Sequence, residues 1–183
     1  HRGISIPIES FEPLPDAHSL IERKSSRFAN WNVAARCAIG DSVKNSVIYV
    51  AENSVSSSLL KVNSVHVGAE RSSQTVSEIP VNVRTLDNIY CCESHSFVRA
   101  LLKIDTQGFE MEVLKGASNI LERVSLLKLE MSLVELYEGQ ATWMDLHHVL
   151  VERGFELIGV QKGFVCQDTG RGLQFDGLYA KVR

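Results

Sequence analysis

Two carboxylates stand at the end of, or inside, short apolar segments that are typical of buried strands. Asp105 directly follows Leu101–Ile104, and Glu130 lies within Leu126–Met131. A buried charge is costly unless it is paired or faces a polar site. We therefore expect both residues to be catalytic, either by taking a proton from a bound molecule or by orienting its hydroxyl group.

Glu130 also has a second interpretation, which is an ion pair inside the sheet. Lys103 and Lys128 belong to the two strand segments and are the basic residues best placed to supply that partner. A paired Glu130 would satisfy its charge without any ligand, and the sequence leaves this alternative open.

The segment after Asp105 indicates how these side chains are positioned. A turn at Gly108 leads into a stretch whose apolar residues have the spacing of one helix face, namely Met111, Val113, Leu114, Ala117, Ile120 and Leu121. A strand, a carboxylate and a helix in this order place the carboxylate at the carboxyl edge of an open sheet, where ligands bind. Thr106 and Gln107 are predicted substrate contacts at that edge. Glu110 is interpreted as structural, because helix amino ends favour negative charge.

Alternating apolar residues predict strands elsewhere in the chain. Those in the first half span Ile4–Phe11, Val33–Ile39, Val47–Val50 and Val76–Arg84. Pro80 restricts the last of them to a sheet edge, because proline lacks the amide hydrogen. An antiparallel pair is predicted to close the sheet, formed by Phe155–Val160 and Leu173–Val182.

Two further helices are predicted from capping residues followed by apolar faces. Asp16 is expected to cap a helix that turns three apolar side chains inward: Ala17, Leu20 and Ile21. Thr142 is expected to cap another, whose apolar side carries Trp143, Leu146, Val149 and Leu150. Gly154 suits the position just beyond the end of that helix.

Composition excludes several classes of protein. A net charge of −3 gives no basic excess for nucleic-acid binding. No apolar run approaches the length of a membrane helix, so we expect no membrane association and a cytoplasmic protein. The four cysteines lack the spacing of a zinc site, and we interpret them as reduced thiols. We predict no metal site, because the six histidines show no paired spacing.

The block LLKIDTQGFEMEVLKGA, residues 101–117, resembles the signature of the FkbM-type methyltransferases. Further matching blocks occur in order along the chain, among them SFEPLP, AIGD and LYEG. The resemblance implies an α/β class I methyltransferase fold, in which a mostly parallel sheet ends in an antiparallel closing strand. It also implies S-adenosylmethionine as the cofactor and a hydroxylated small molecule, such as a sugar or polyketide-like compound, as the acceptor.

The resemblance assigns roles to residues on several predicted strand ends. It places Glu12 on the ribose hydroxyls and Asp41 on the adenine amino group, with Ala38 and Ile39 beside the adenine. Simpler alternatives are a helix-capping carboxylate at Glu12 and an ordinary turn at Asp41.

Three more residues receive roles near the reacting groups. Ser57, in the polar loop 52–58, is assigned to cofactor binding, although an ordinary polar loop explains it nearly as well. Asp105 is placed where it can also bind the amino group of the methionine moiety. Tyr137 is expected to shape the acceptor pocket.

One departure from the family pattern concerns the amino end. The family's first strand and its glycine-rich turn have no counterpart before Ile4–Phe11, so residues 1–183 are expected to form a single domain that is incomplete there. A non-catalytic binding module, or a truncated relic of the fold, is therefore the main alternative to an enzyme. A nicotinamide-dependent oxidoreductase is a weaker alternative, and the oligomeric state stays open.

Overall fold

Helices and strands alternate along most of the chain. The computed structural model describes residues 6–91 and 99–182. Its strands are β1 (Ile8–Ser10), β2 (Trp31–Val33), β3 (Ala38–Ile39), β4 (Lys44–Ala51), β5 (Thr75–Arg84), β6 (Ala100–Ile104), β7 (Val124–Ser132), β8 (Phe155–Lys162) and β9 (Gln174–Lys181). Its α-helices are α1 (Pro15–Ser25), α2 (Ser64–Ala69), α3 (Leu86–Ile89), α4 (Glu110–Lys115) and α5 (Trp143–Glu152). Two 3₁₀ turns span Arg71–Ser73 and Ile120–Glu122.

The described strands form three sheets, ordered β1-β2, β3-β5-β4 and β6-β7-β9-β8. The pairs β1-β2, β3-β5 and β6-β7 are parallel, and the other three pairs are antiparallel. The α/β character is thus confirmed. The mostly parallel sheet expected from the sequence is not seen as one sheet within the described residues, where β1 and β6 belong to different sheets.

The second half of the chain follows its apolar pattern closely. Strand β7 is central in its sheet, and Leu127 and Leu129 are fully buried against α5 residues such as Leu146 and Leu150. The predicted antiparallel pair is present as β8 and β9. Helix α5 begins as predicted after Thr142, whose amide and hydroxyl both donate to Asp145 Oδ2. This half forms the main core and holds the carboxyl ends of β6 and β7 rigidly.

The first half departs from the predicted boundaries. The strand predicted over Val33–Ile39 is two strands, because the chain leaves β2 beside β1 and enters β3 beside β5. Between them, the Ala34 carbonyl accepts a hydrogen bond from His18 Nε2 at 2.8 Å instead of continuing a ladder. The strand predicted over Ile4–Phe11 is limited to β1, and Ile4 lies outside the described residues.

Helix α1 begins one residue earlier than Asp16, at Pro15. Proline suits the first helical position because its fixed φ is already helical and its missing amide hydrogen is not needed there. Asp16 therefore lies in the first turn and is not the cap. Leu20, predicted to face inward, is 43% exposed, while Ala17 and Ile21 are half-buried.

Strands β4 and β5 form a long antiparallel pair, in which β4 extends its predicted segment at both ends and β5 begins one residue early, at Thr75. Strand β5 is central in its sheet, not at the edge that Pro80 was expected to require. The short β3 pairs only with Val83 and Arg84, so among residues 6–91 and 99–182 no strand pairs with β5 on its other side at Pro80. The prolyl nitrogen, which cannot donate, is accommodated on that locally unpaired side.

Helix α4 is shorter than its apolar pattern predicts. Its last residue is Lys115, and Gly116 follows as the cap. The chain then forms turns up to the 3₁₀ segment before β7. A Cβ at Gly116 would lie 1.9 Å from the carbonyl oxygen of Gly40. This contact brings the end of α4 against the end of β3, and only glycine permits it.

Cysteine placement fits the predicted reduced state in part. Cys37 is buried and Cys166 is half-buried, and both are free thiols. Cys92 lies outside the described residues. Within residues 6–91 and 99–182, no helix is long and apolar enough to cross a membrane.

Candidate active site

A cleft of about 2170 Å³ runs along β1, past the end of β3 and along β6 to the turn that follows it. The cleft is larger than the roughly 300–1,000 Å³ of a single ligand pocket, and it is lined by β1 and β6, which belong to different sheets. Glu12, Asp105, Gln107 and Glu130 all belong to its lining. The predicted site residues on β6 and β7 are therefore brought to one surface.

The side-chain amide of Gln107 joins the two candidate catalytic carboxylates. Its Nε2 donates to Asp105 Oδ1 at 3.0 Å and to Glu130 Oε2 at 2.7 Å. An amide nitrogen carries two hydrogens, so one Gln107 can serve both carboxylates at once. The structure thereby holds two negative side chains beside each other at the carboxyl end of the sheet.

The backbone of Gln107 is strained. Its φ is 54°, a left-handed conformation that side chains other than glycine adopt at a cost of about 1–3 kcal/mol. Two contacts hold it there: Ser58 Oγ donates to the Gln107 carbonyl at 2.7 Å, and the Tyr137 hydroxyl lies 3.0 Å from Gln107 Oε1. Strain held by surrounding groups is typical of functional positions.

Glu130 is a carboxyl poised near neutral pH. Burial and, to a smaller extent, the nearby charges of Asp105, Glu110 and Asp176 together raise its pKa to about 7, against the hydrogen bond from Gln107. Its Oε2 also accepts from Gln174 Nε2 at 2.9 Å. A base with this pKa suits proton removal near pH 7.

The predicted ion pair of Glu130 with a lysine does not occur in the described residues. Lys103 pairs with Asp105 at 2.7 Å, and Lys128 pairs with Asp176 at 2.8 Å. Amide donors therefore satisfy Glu130 in place of a cation. Neutral donors leave the carboxyl able to bind or release a proton at lower cost than a fixed cation would.

Glu110 stabilises the turn that carries Gln107. Its Oε1 accepts from the amide and hydroxyl of Thr106, at 2.8 and 3.0 Å, and from the amide of Gly108 at 3.3 Å. Burial raises its pKa to about 7 despite these hydrogen bonds. Thr106 was predicted to contact substrate, but its hydroxyl is already engaged by Glu110, although the residue lines the cleft.

Most of the residues assigned to the cofactor also line this cleft. Glu12 lies two residues beyond β1, and burial raises its pKa even though its Oε1 accepts from the Leu14 amide at 2.8 Å. The buried side chains of Ala38 and Ile39 provide an apolar wall. Ser57 also lines the cleft, and its hydroxyl accepts from the Ala51 amide at 3.0 Å.

The model of one protein family, described as Methyltransferase FkbM domain, matches residues 3–157. That range covers most of the chain and contains the cleft residues described above from Glu12 to Glu130. This chain belongs to the FkbM methyltransferase family. No curated protein and no solved structure matches it.

Two residues assigned from the sequence lie away from the cleft of this methyltransferase domain. Asp41 sits in an exposed turn, where Lys44 Nζ at 2.9 Å and the Ser42 hydroxyl at 3.1 Å engage its carboxylate. The lysine lowers the pKa of Asp41, as expected for a surface ion pair. Tyr137 is fully buried behind the cleft, so it supports Gln107 instead of contacting the acceptor directly.

Three residues of the site were missed by reasoning from the sequence. Gln174, His66 and Phe164 line the cleft from β9, α2 and the loop after β8. None belongs to a motif with a chemical signature, and each reaches the cleft through tertiary packing. The one available signal was the block LQFD, residues 173–176, which contains Gln174 and resembles the family pattern but suggests no chemical role by itself.

Metal binding has no structural basis in the parts of the chain that the structure describes. No group of three or more histidine, cysteine, aspartate or glutamate side chains there is arranged to hold a metal ion. The carboxylates of Asp105 and Glu130 are instead held by the amide of Gln107.

Proposed function

We propose that this protein is an S-adenosylmethionine-dependent O-methyltransferase that acts on a hydroxyl group of a small sugar or polyketide-like molecule. The observation that carries the proposal is that one cleft contains two kinds of lining residue. Glu12, Ala38 and Ile39 line it together with the amide-linked Asp105 and Glu130. Membership of the FkbM methyltransferase family supports the same reaction class.

The chemistry of Glu12, Ala38 and Ile39 fits a nucleoside cofactor. A carboxylate beyond a strand end accepts hydrogen bonds from ribose hydroxyls, as in dinucleotide-binding folds. The apolar surface of Ala38 and Ile39 suits a purine ring. Asp105 can hold the amino group of the methionine moiety. When bound, the cofactor supplies a methyl group that is already activated for transfer.

The chain itself has two tasks, which are to hold the acceptor and to receive its proton. Glu130 is the candidate general base, because a pKa of about 7 leaves a large fraction deprotonated at neutral pH. Gln107 keeps that carboxylate in place beside Asp105. Because the methyl group needs no further activation, correct positioning of the hydroxyl can supply much of the rate.

Calorimetric titration of the protein with S-adenosylmethionine, and with its demethylated product, tests cofactor binding. Glu12→Ala should weaken binding by about 1–3 kcal/mol, since a hydrogen bond to a charged group is lost. Asp41→Ala is the matched control and should leave the affinity unchanged, because Asp41 is engaged by Lys44 on the surface. Equal affinities of wild type and Glu12→Ala would remove Glu12 from the site.

Transfer is tested separately with cofactor carrying an isotopically labelled methyl group and a panel of hydroxylated sugars and polyketide-like compounds. Label recovered as a methyl ether in any of them supports the enzyme. Cofactor binding without transfer to any member of the panel would favour the non-catalytic binding module. Failure of cofactor binding itself would overturn the proposed function.

A further inference from the structure

His66 is a buried histidine whose ring nitrogen has no partner. It lies in α2, is only 3% exposed, and its Nδ1 has neither a hydrogen bond nor solvent contact within the described residues. Buried polar side-chain atoms in folded proteins nearly always have a partner, and each exception calls for an explanation. The ring also lines the cleft, so a bound ligand is one such explanation.

The charge state of His66 suits a neutral ligand. Burial lowers its pKa, although the carboxylate of Glu70 partly opposes this effect. That carboxylate is already bonded to the amide and hydroxyl of Ser72, at 3.0 and 2.6 Å. A neutral imidazole has one N–H and one free lone pair, and a hydroxyl group can pair with either, since it both donates and accepts.

Two aromatic rings pack against the imidazole of His66. It meets Tyr137 edge-on at 5.1 Å between ring centroids, and the Phe164 ring is tilted against it at 5.3 Å. Phe164 lines the cleft together with His66. The site thus combines one unsatisfied polar atom with an apolar ring surface, which is the composition of a pocket for a ring that carries a hydroxyl group.

The same cluster adjoins the candidate catalytic groups. The hydroxyl of Tyr137, whose ring packs against His66, lies 3.0 Å from Gln107 Oε1. Gln107 in turn donates to Glu130. His66 and Glu130 are therefore linked through Tyr137 and Gln107, and both line the same cleft.

We propose that His66 and Phe164 form the acceptor subsite, in which the acceptor is a hydroxylated ring that packs on Phe164 and hydrogen-bonds through its hydroxyl to His66 Nδ1. This inference rests on the proposed function, because it identifies the class of molecule that this methyltransferase would modify. Nδ1 becomes accessible if the imidazole rotates or Phe164 moves aside. Such side-chain changes are common on binding and need no backbone movement.

Titration with simple ring probes tests the subsite without cofactor or turnover. The full chain, with ¹⁵N-labelled histidines, is titrated with phenol and separately with toluene, which has the same ring without the hydroxyl group. Phenol should shift the His66 Nδ1 resonance and bind at least about tenfold more tightly than toluene, the ratio expected for one hydrogen bond. The exposed His148 on α5 serves as the control resonance and should not move.

Variants then assign the discrimination to His66. In His66→Phe the preference for phenol should fall to within about twofold, while His148→Phe should keep it. A wild-type protein that binds phenol and toluene equally, or a His66→Phe protein that retains the preference, would overturn the subsite. The wild-type titration decides this even if His66→Phe fails to fold. Intact cofactor binding alongside a failed phenol test would reject the subsite alone, whereas lost cofactor binding rejects the proposed function.

Discussion

The amide of Gln107 donates to the carboxylate of Glu130 over 2.7 Å, from a backbone held at a φ of 54°. The strained residue therefore controls the carboxyl that has a pKa near neutral. Ser58 holds the Gln107 backbone, and Tyr137 holds its side-chain oxygen. The segments around Ser58, Gln107 and Tyr137 thus meet beside one proton-binding group, the carboxyl of Glu130. The first prediction concerns this arrangement.

Gln107→Leu should shift the pH dependence of methyl transfer. The hydrogen bond from Gln107 lowers the pKa of Glu130, so its loss should raise that pKa. Because the deprotonated carboxylate is the active form, the acid limb of the rate profile should move to higher pH from a wild-type midpoint of about 7. The check is single-turnover methyl transfer measured between pH 5 and 9. Gln161→Leu, on the exposed face of β8, is the control, and an unchanged midpoint in Gln107→Leu would contradict this role of Gln107.

Asp105→Asn should reduce methyl transfer at subsaturating cofactor by roughly tenfold to a hundredfold, because a charge-assisted hydrogen bond to the amino group of the methionine moiety is lost. The variant keeps the shape of the side chain and loses the charge that pairs with Lys103. Single-turnover rates with saturating acceptor measure the effect, and Asp41→Asn is the matched control on the surface. Full turnover by Asp105→Asn would show that the reaction does not need this carboxylate.

Glu110→Gln should flatten the pH dependence of stability. The pKa of Glu110 is about 7 in the folded protein, against 4.5 as its ordinary value. The stability contribution of this carboxyl is therefore complete below pH 4.5 and is lost as the pH rises towards and through 7. Urea unfolding at pH 5, 6, 7 and 8 should show a smaller decline for Glu110→Gln than for wild type.

The decline should not vanish in that variant, because Glu130 has a raised pKa of similar size. Glu156→Gln, on the exposed part of β8, is the control and should follow the wild-type curve. Turnover of folded Glu110→Gln should stay close to wild type, since Glu110 contacts the turn backbone and Thr106 instead of a substrate. An equally steep decline in variant and wild type would argue against a buried, proton-binding Glu110.

Gly116→Ala should destabilise the fold by about 1–3 kcal/mol or more, because the new methyl group would lie 1.9 Å from the Gly40 carbonyl oxygen. Gly68→Ala is the contrasting variant, with no heavy atom within 4 Å of the added group. It should be neutral or stabilising by up to about 1 kcal/mol, as alanine favours the helix. Chemical unfolding measures both, and similar effects of the two substitutions would contradict the close approach of α4 to β3.

The local pattern of the sequence was sufficient where one segment determines its own surroundings. The apolar run that begins at Leu101 predicted β6, and the helical spacing after it predicted the helix that follows. Thr142 and Gly154 marked the two ends of α5. The antiparallel closing pair, which the structure shows as β8 and β9, was predicted in the same way. Each of these features depends on contacts between near neighbours or on an apolar periodicity, which a single sequence displays directly.

Tertiary structure decided what depends on which segments meet. The division of Val33–Ile39 into β2 and β3 reflects partners in two different sheets, and the early end of α4 reflects the carbonyl of Gly40 against Gly116. Asp41 was assigned to the cofactor from its place after a strand, yet a nearby lysine holds it on the surface. Position along the chain predicts the end of a strand but not the partner of the side chain that follows it.

The site shows the same division between sequence and tertiary structure. The sequence alone determined that Asp105 and Glu130 occupy strand positions where a carboxylate needs a polar neighbour, and it predicted the family. Only the tertiary structure showed that this neighbour is the amide of Gln107, and that an unpartnered His66 lies beyond Tyr137. The physical reason is that burial and hydrogen-bond partners arise from contacts between segments tens of residues apart, which no local pattern specifies.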